Sequence, residues 1–134
     1  MTVRKSSCVL LADRHHGLSD GIRGLLETTF TTVFMVTDEV SLLEGAERLE
    51  PAIVVLDLSL AAGDAPGLLR RIAARSAGAK VLLLSSHGDP SVAEAGMRAG
   101  AEGVVLKSTI ATDLLPAVDA LLAGQRYISP RIRR

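Results

Sequence analysis

The stretch "IVVLD" at residues 53–57 decides the fold. Four apolar residues run without a polar interruption and then meet one acid, Asp57. A strand with one face in water alternates apolar and polar residues, whereas a strand covered on both faces is apolar throughout. This run therefore predicts an inner strand of a parallel sheet, with an acid at its carboxyl end.

Four further short runs of this kind occur along the chain, with helical patterns between them. The Thr-rich second run is typical of an edge strand. Five β–α units in series predict one α/β domain, a parallel sheet with helices on both faces. In the last helix, Thr112 is a candidate cap, Pro116 falls near the first turn and Gly124 ends the helix. The four runs are "CVLLA" (8–12), "TTVFMV" (31–36), "KVLLLS" (80–85) and "GVVLK" (103–107).

The composition excludes several classes of protein. The 134 residues fit a single domain, and 15 basic residues balance 15 acidic ones, so no net charge attracts nucleic acid or an anionic membrane. No apolar run is long enough to span a membrane, and the single cysteine, Cys8, favours a reducing compartment, where we interpret it as a small buried hydrophobe. We expect a cytoplasmic domain without a membrane partner.

Polar residues follow several of the predicted strands at their carboxyl ends, where such sheets bind ligands. A carboxylate such as Asp57 can accept a phosphoryl group. A lysine and a hydroxyl can then contact the phosphoryl oxygens, and carboxylates can hold Mg²⁺ beside them. The strand ends supply Asp13, Asp57, Ser85 with Ser86, and Lys107.

Four stretches make the chain resemble the receiver domain of two-component response regulators. They are "LLADRHHGLSDGIRGLLE", "AIVVLDLSLAAGD", "KVLLLSSHGD" and "RAGAEGVVLKS", and the tail "LPAVDALLAGQRYISPRI" is similar to receivers of the NarL/LuxR-type subgroup. The resemblance implies a flavodoxin-like, doubly wound, five-stranded parallel sheet in the order 2-1-3-4-5 with five helices. It also implies a receiver over 1–124 and, over 125–134, the start of a linker to an absent helix-turn-helix DNA-binding output domain.

The resemblance implies roles for the residues at the strand ends. Asp57 is the phosphoacceptor, and a histidine kinase supplies the phosphoryl group. Ser85 matches the hydroxyl switch position, with Ser86 as its rival, and Lys107 matches the lysine that contacts the phosphate. The resemblance also implies a homodimer, formed through either the helix 4–strand 5–helix 5 face or helices 1 and 5, and DNA contact only through the output domain.

The metal site departs from the family pattern. Asp13, Asp57 and the backbone carbonyl of Ser59 match the magnesium ligands, but Arg14 stands where the family has a second acid. Arg14 either turns to solvent and leaves a weakened site, or bonds Asp57 and occupies the place of the metal. The alternative function is therefore a degenerate receiver, with impaired Mg²⁺ binding and phosphorylation, that acts as a constitutive interaction and dimerisation module.

Two other kinds of site have less support in the sequence. His15, His16 and His87 are interpreted as loop residues, since adjacent histidines rarely point to one ion. A small flavodoxin-like or hydrolase-like enzyme would need a glycine-rich phosphate loop, a G-x-S-x-G elbow or aromatic residues to stack a flavin. The sequence has neither motif and is only 2% aromatic. We therefore expect a regulatory module and not an enzyme, with no organic cofactor.

Overall fold

A computed structural model describes residues 8–14 and 16–132 of the chain. The strands are β1 (Cys8–Ala12), β2 (Thr32–Val36), β3 (Ile53–Asp57), β4 (Lys80–Ser85), β5 (Gly103–Leu106) and β6 (Tyr127–Ile128). The helices are α1 (His16–Leu26), α2 (Glu39–Leu49), α3 (Ala65–Arg75), α4 (Pro90–Arg98) and α5 (Ile110–Leu122). Short 3₁₀ segments cover Leu58–Ala61 and Lys107–Thr109, directly after β3 and β5.

All the strands are parallel and lie in the order β2-β1-β3-β4-β5-β6. The predicted order of the first five is confirmed, but the prediction of five strands is wrong, because Tyr127–Ile128 adds a sixth beside β5. Two residues are too few to show a strand period in the sequence. The backbone bonds are nevertheless regular, since the N–H of Tyr127 donates to the carbonyl of Glu102 at 3.1 Å and the N–H of Ser129 to that of Val104 at 2.9 Å.

The sheet is covered on both faces, which explains its continuous apolar runs. One core lies between the sheet and α2, α3 and α4, and the other lies between the sheet and α1 and α5. Successive strand residues alternate between the two cores, as Leu10 and Val54 do on one side and Leu11 and Val55 on the other. Within residues 8–14 and 16–132, no helix is both long enough and apolar enough to cross a membrane.

Helix α5 begins earlier than the sequence indicates. Its first residue is Ile110, and Thr112 is not its cap; the hydroxyl of Thr112 instead donates to the carbonyl of Thr109 at 3.1 Å. Pro116 consequently lies inside the helix and not in its first turn. The helix tolerates it because Pro116 and Thr112 are both exposed, so the carbonyl that loses a backbone partner faces water.

Glycine at two positions allows close packing around β5. A Cβ atom on Gly103 would meet Leu82 of β4 at 2.8 Å and Leu121 of α5 at 3.0 Å. A Cβ atom on Gly96 would lie 2.6 Å from Leu83. The small residues of α4 therefore serve close packing of this helix on the sheet.

Candidate functional site

Two acids meet at the carboxyl edge of the sheet. β1 and β3 are neighbours, with Ala12 opposite Leu56, so the residues that follow them, Asp13 and Asp57, lie side by side. Each is only 2% exposed. Two buried carboxylates repel each other unless a cation or hydrogen-bond donors compensate them.

Lys107 supplies that cation from the end of β5. Its Nζ lies 2.5 Å from Oδ2 of Asp57, and the side chains of Lys107 and Asp57 are 14% and 3% exposed. The backbone N–H of Ser59 donates to Oδ1 of Asp57 at 3.0 Å, because the 3₁₀ segment after β3 turns that amide back over the carboxylate. Both oxygens of Asp57 are therefore hydrogen-bonded.

The same contacts set the charge state of Asp57. Burial by itself raises the pKa of a carboxyl group. The hydrogen bonds from Lys107 and Ser59 and the ammonium charge of Lys107 together outweigh burial, so the pKa of Asp57 lies below its ordinary value. Asp57 is thus a carboxylate anion at neutral pH, the form in which a carboxyl group can act as a nucleophile.

The hydroxyl of Ser85 is not among the groups that contact Asp57 in this structure. Ser85 is buried, and its Oγ donates to the carbonyl of His87 at 3.1 Å and accepts from the N–H of His87 at 3.0 Å. Ser86, its rival for the switch role, is exposed. The structure therefore brings Asp13, Asp57 and Lys107 together and holds Ser85 in its own loop.

The donor set suits Mg²⁺ in its chemistry. Mg²⁺ is commonly bound by one or two carboxylates together with water and phosphate oxygens. Asp13 and Asp57 are two such carboxylates, and the carbonyl of Ser59 already accepts one bond, at 3.4 Å from the N–H of Ala62, leaving its second lone pair. Among residues 8–14 and 16–132, no group of three or more His, Cys, Asp or Glu could hold a metal ion.

Arg14, which replaces the second acid, is exposed. The hydrogen bonds described for Asp57 come from Lys107 and Ser59, so it is the lysine that neutralises this carboxylate. Of the two arrangements that the sequence leaves open for Arg14, this is the one in which it turns towards solvent. Its positive charge nonetheless stays next in sequence to Asp13.

Neither His87 nor Cys8 is among the groups described around Asp57. His87 is exposed, His16 is the first residue of α1 and not a loop residue as expected, and His15 lies outside the described residues. Cys8 is half-buried, and its thiol donates to the carbonyl of Leu49 at 3.7 Å. Burial raises the pKa of the Cys8 thiol, which keeps it protonated and unreactive.

A third buried carboxylate, which the sequence did not single out, lies in α5. Asp113 is 7% exposed and accepts hydrogen bonds from Thr109, Tyr127 and Ser129. Two of these partners belong to the segment that was interpreted as a linker. Their signal in the sequence is weak, because hydroxyl residues in a short polar stretch are usually solvated.

The chain is similar to known proteins in sequence and in fold. A model of the response regulator receiver domain matches residues 9–119. The transcriptional regulatory protein DegU of Brevibacillus brevis is 28% identical over 126 residues, which cover 92% of this chain and 53% of DegU. The transcriptional regulatory protein RcsB of Escherichia coli is 28% identical over 131 residues, covering 94% and 61%.

A solved structure is similar over nearly its whole length. The two-component response regulator of the LuxR family from Aurantimonas sp. SI85-9A1 superposes with a TM-score of 0.85 at 29% identity, covering 96% of this chain and 93% of that one. The chain spans little more than half the length of the curated relatives. The resemblance to the receiver family and to its NarL/LuxR-type subgroup is confirmed.

Proposed function

Because the chain belongs to the response regulator receiver domain family, whose members are signalling modules and not conventional enzymes, we propose that it accepts a phosphoryl group on Asp57 from a histidine kinase. The observation that carries the proposal is the ion pair between Asp57 and Lys107, 2.5 Å long and almost wholly buried at the carboxyl edge of the sheet. The proposed nucleophile, Asp57, is thus already in contact with Lys107, the cation that would neutralise the phosphoryl group after transfer.

The chemistry follows from these groups. An oxygen of the Asp57 carboxylate attacks phosphorus, the P–N bond of the phosphohistidine breaks, and the electron pair and a proton remain with the imidazole. The product is an acyl phosphate on Asp57. Because charge accumulates on the equatorial oxygens, transfer depends mainly on positioning and neutralisation, and Lys107 can follow one of those oxygens. Mg²⁺ held by Asp13, Asp57 and the Ser59 carbonyl would supply further neutralisation.

Ser85 is proposed as the residue that responds to this change. Its hydroxyl can leave the backbone of His87, which it now contacts, and donate to a phosphoryl oxygen. The loop over 85–88 would then move with it, since both hydrogen bonds between Ser85 and His87 would break. Phosphorylation would in this way alter the surface next to α4.

Arg14 favours one specific alternative, a degenerate receiver that no longer responds to phosphorylation. A cation in place of a carboxylate ligand lowers the affinity for Mg²⁺ by charge repulsion. Arg14 is exposed, however, and does not occupy the contact that Lys107 makes with Asp57. The proposal is therefore a phosphorylated receiver with weakened metal affinity.

The partners beyond the kinase follow from the same family. We propose that the full protein is a cytoplasmic transcriptional regulator that dimerises and contacts DNA through a helix-turn-helix output domain, joined by a linker that follows strand β6. DegU and RcsB, the relatives named above, are transcriptional regulatory proteins longer than this chain.

Incubation with acetyl phosphate and Mg²⁺, followed by intact-mass measurement, tests the proposal. We expect the wild type to gain one phosphoryl group and Asp57→Asn to gain none. Asp38→Asn is the matched control, because Asp38 is an exposed cap of α2 and asparagine caps helices equally well. Absence of a mass gain in the wild type at millimolar metal would overturn the proposal and favour the degenerate receiver.

A further inference from the structure

The turn that carries Lys107 is held at both ends by one buried pair of side chains. Before the turn, the N–H of Leu106 donates to Oγ of Ser129 at 3.0 Å. At its end, the hydroxyl of Thr109 donates to Oδ2 of Asp113 at 2.6 Å. Ser129 and Asp113 are themselves joined, since Oγ of Ser129 donates to the same Oδ2 at 2.7 Å. These two residues form what we call the turn clamp.

The clamp joins the turn to the docked tail, residues 125–132. Ser129 is fully buried, and Ile132 is only 2% exposed within the core on the α4 side of the sheet. The N–H of Ile132 donates to the carbonyl of Ser129 at 2.9 Å, which closes a turn over the end of β5. Backbone pairing and packing therefore hold Ser129 in place. Through its hydrogen bond to the N–H of Leu106, Ser129 also restricts the position of Leu106.

We propose that Asp113 and Ser129 are positioning residues for the reaction at Asp57: by fixing both ends of the turn, they set where the ammonium group of Lys107 meets the carboxylate and, later, the phosphoryl group. This inference rests on the proposed function of Asp57. It adds that efficient phosphorylation of Asp57 requires the docked tail to be packed against β5.

The physical reason is the flexibility of lysine. Its ammonium is a point charge on a four-carbon stem, so the direction of the stem depends on the backbone that carries it. The turn spans only Lys107–Thr109 and is closed by the N–H of Ile110, which donates to the carbonyl of Lys107. Short 3₁₀ turns have poorer hydrogen-bond geometry than an α-helix, so anchors from outside the turn add to its order. Small misplacements of a positioning group slow a reaction severely. A turn anchored at both ends restricts such misplacement.

Removal of the Ser129 hydroxyl tests the clamp. In Ser129→Ala we expect the rate of phosphorylation by acetyl phosphate at saturating Mg²⁺ to fall about threefold to tenfold. We also expect the NMR signal of the Asp57 carboxyl carbon to move towards that of Lys107→Ala. Ser76→Ala is the matched control, since Ser76 is a buried serine at the end of α3, beyond the opposite edge of the sheet; both readouts should stay at the wild-type value.

A double-mutant cycle separates positioning from general stabilisation. If the clamp acts through Lys107, Ser129→Ala will not slow phosphorylation further in a Lys107→Ala background. An equal slowing in both backgrounds would overturn the proposal, because the hydroxyl would then act without the lysine. Asp113→Asn, which keeps the side-chain shape, provides a second variant with the same expected pattern should Ser129→Ala fail to fold.

The two readouts also distinguish this inference from the proposed function. The carboxyl signal of Asp57 reports its contact with Lys107 without any phosphorylation. A wild type that is never phosphorylated, with a carboxyl signal that responds to Ser129→Ala, would overturn the role of Asp57 and leave the positioning intact. If the wild type is phosphorylated, but neither Ser129→Ala nor Asp113→Asn changes the Asp57 carboxyl signal or the phosphorylation rate, only the positioning role of Asp113 and Ser129 is overturned.

Discussion

Two buried carboxylates flank the turn over Lys107–Thr109, and different chemistry stabilises each. Asp57 contacts an ammonium group and a backbone N–H and lies beside a second acid. Asp113 accepts hydrogen bonds from three hydroxyl groups. An ammonium on a flexible stem can follow a new anion, whereas hydroxyls on short side chains fix one arrangement. The first carboxylate can therefore change partners, whereas the second keeps one fixed arrangement.

Removal of the cation from the first carboxylate should have the largest effect. In Lys107→Met, Asp57 keeps its burial but loses the group that neutralises it, so we expect the free energy of unfolding at pH 7 to fall by about 2–4 kcal/mol. Urea denaturation measures this loss. Lys80→Met, at the opposite end of the sheet, is the control and should change stability by about 0.5 kcal/mol or less. Equal losses in the two variants would contradict the assignment of Lys107 as the partner of Asp57.

Changing the second carboxylate should have a smaller effect. In Asp113→Asn one oxygen remains to accept, and the amide hydrogens face hydroxyls that must reorient, so we expect a loss of about 1–2 kcal/mol by urea denaturation. Asp119→Asn, an exposed position on the same helix, is the matched control. A variant as stable as the wild type would show that the hydroxyls do not depend on the carboxylate charge.

A substitution at Arg14 tests whether Asp57 belongs to a metal site of weakened affinity. In Arg14→Asp a repelling charge becomes a ligand, so we expect the Mg²⁺ affinity to rise about tenfold, measured by calorimetric or NMR titration. Arg70→Asp makes the same charge change on the exposed face of α3 and should leave the affinity unaltered. Tight binding in the wild type with no gain in Arg14→Asp would remove the reason for calling the site weakened.

The pH dependence of the free energy of unfolding should be the smallest of these effects. We expect it to arise from the ionisation of Asp57. Its folded-state pKa is lowered, so its contribution to stability is present above the unfolded-state pKa of about 4 and disappears as the pH falls through the lower folded value. The stability difference between the wild type and Asp57→Asn should therefore shift against the wild type on acidification from about pH 5 to pH 3. A constant difference across that range, measured by urea denaturation, would mean that the ion pair with Lys107 does not lower this pKa.

The sequence predicted the part of the molecule that depends on pattern. Runs such as 53–57 are apolar because both faces of the sheet are covered, and parallel strands end at one edge, so Asp13, Asp57 and Lys107 had to meet there. Their roles in phosphoryl transfer remain predictions. The family resemblance added the strand order, which periodicity alone does not contain.

The sequence could not predict features that depend on a few atoms. Strand β6 has two residues, and its docking depends on hydrogen bonds of Ser129 that look the same in sequence as those of a solvated linker. The hydroxyl of Ser85 turns to His87 because of local loop geometry. The exposure of Arg14 is a matter of one side-chain conformation. In each of these three cases the same residues can adopt more than one local arrangement, and tertiary packing selects one of them.

The most direct test of the account is an amide NMR titration of the wild-type chain with Mg²⁺ and beryllofluoride, which binds an aspartate carboxylate as a mimic of the phosphoryl group. We expect shifts at Asp57 and Lys107 that extend through Leu106 to Ser129 in the tail, and we expect these shifts to be lost in Asp57→Asn. A wild-type spectrum that stays unchanged at saturating beryllofluoride would contradict the assignment of Asp57 as a phosphoacceptor.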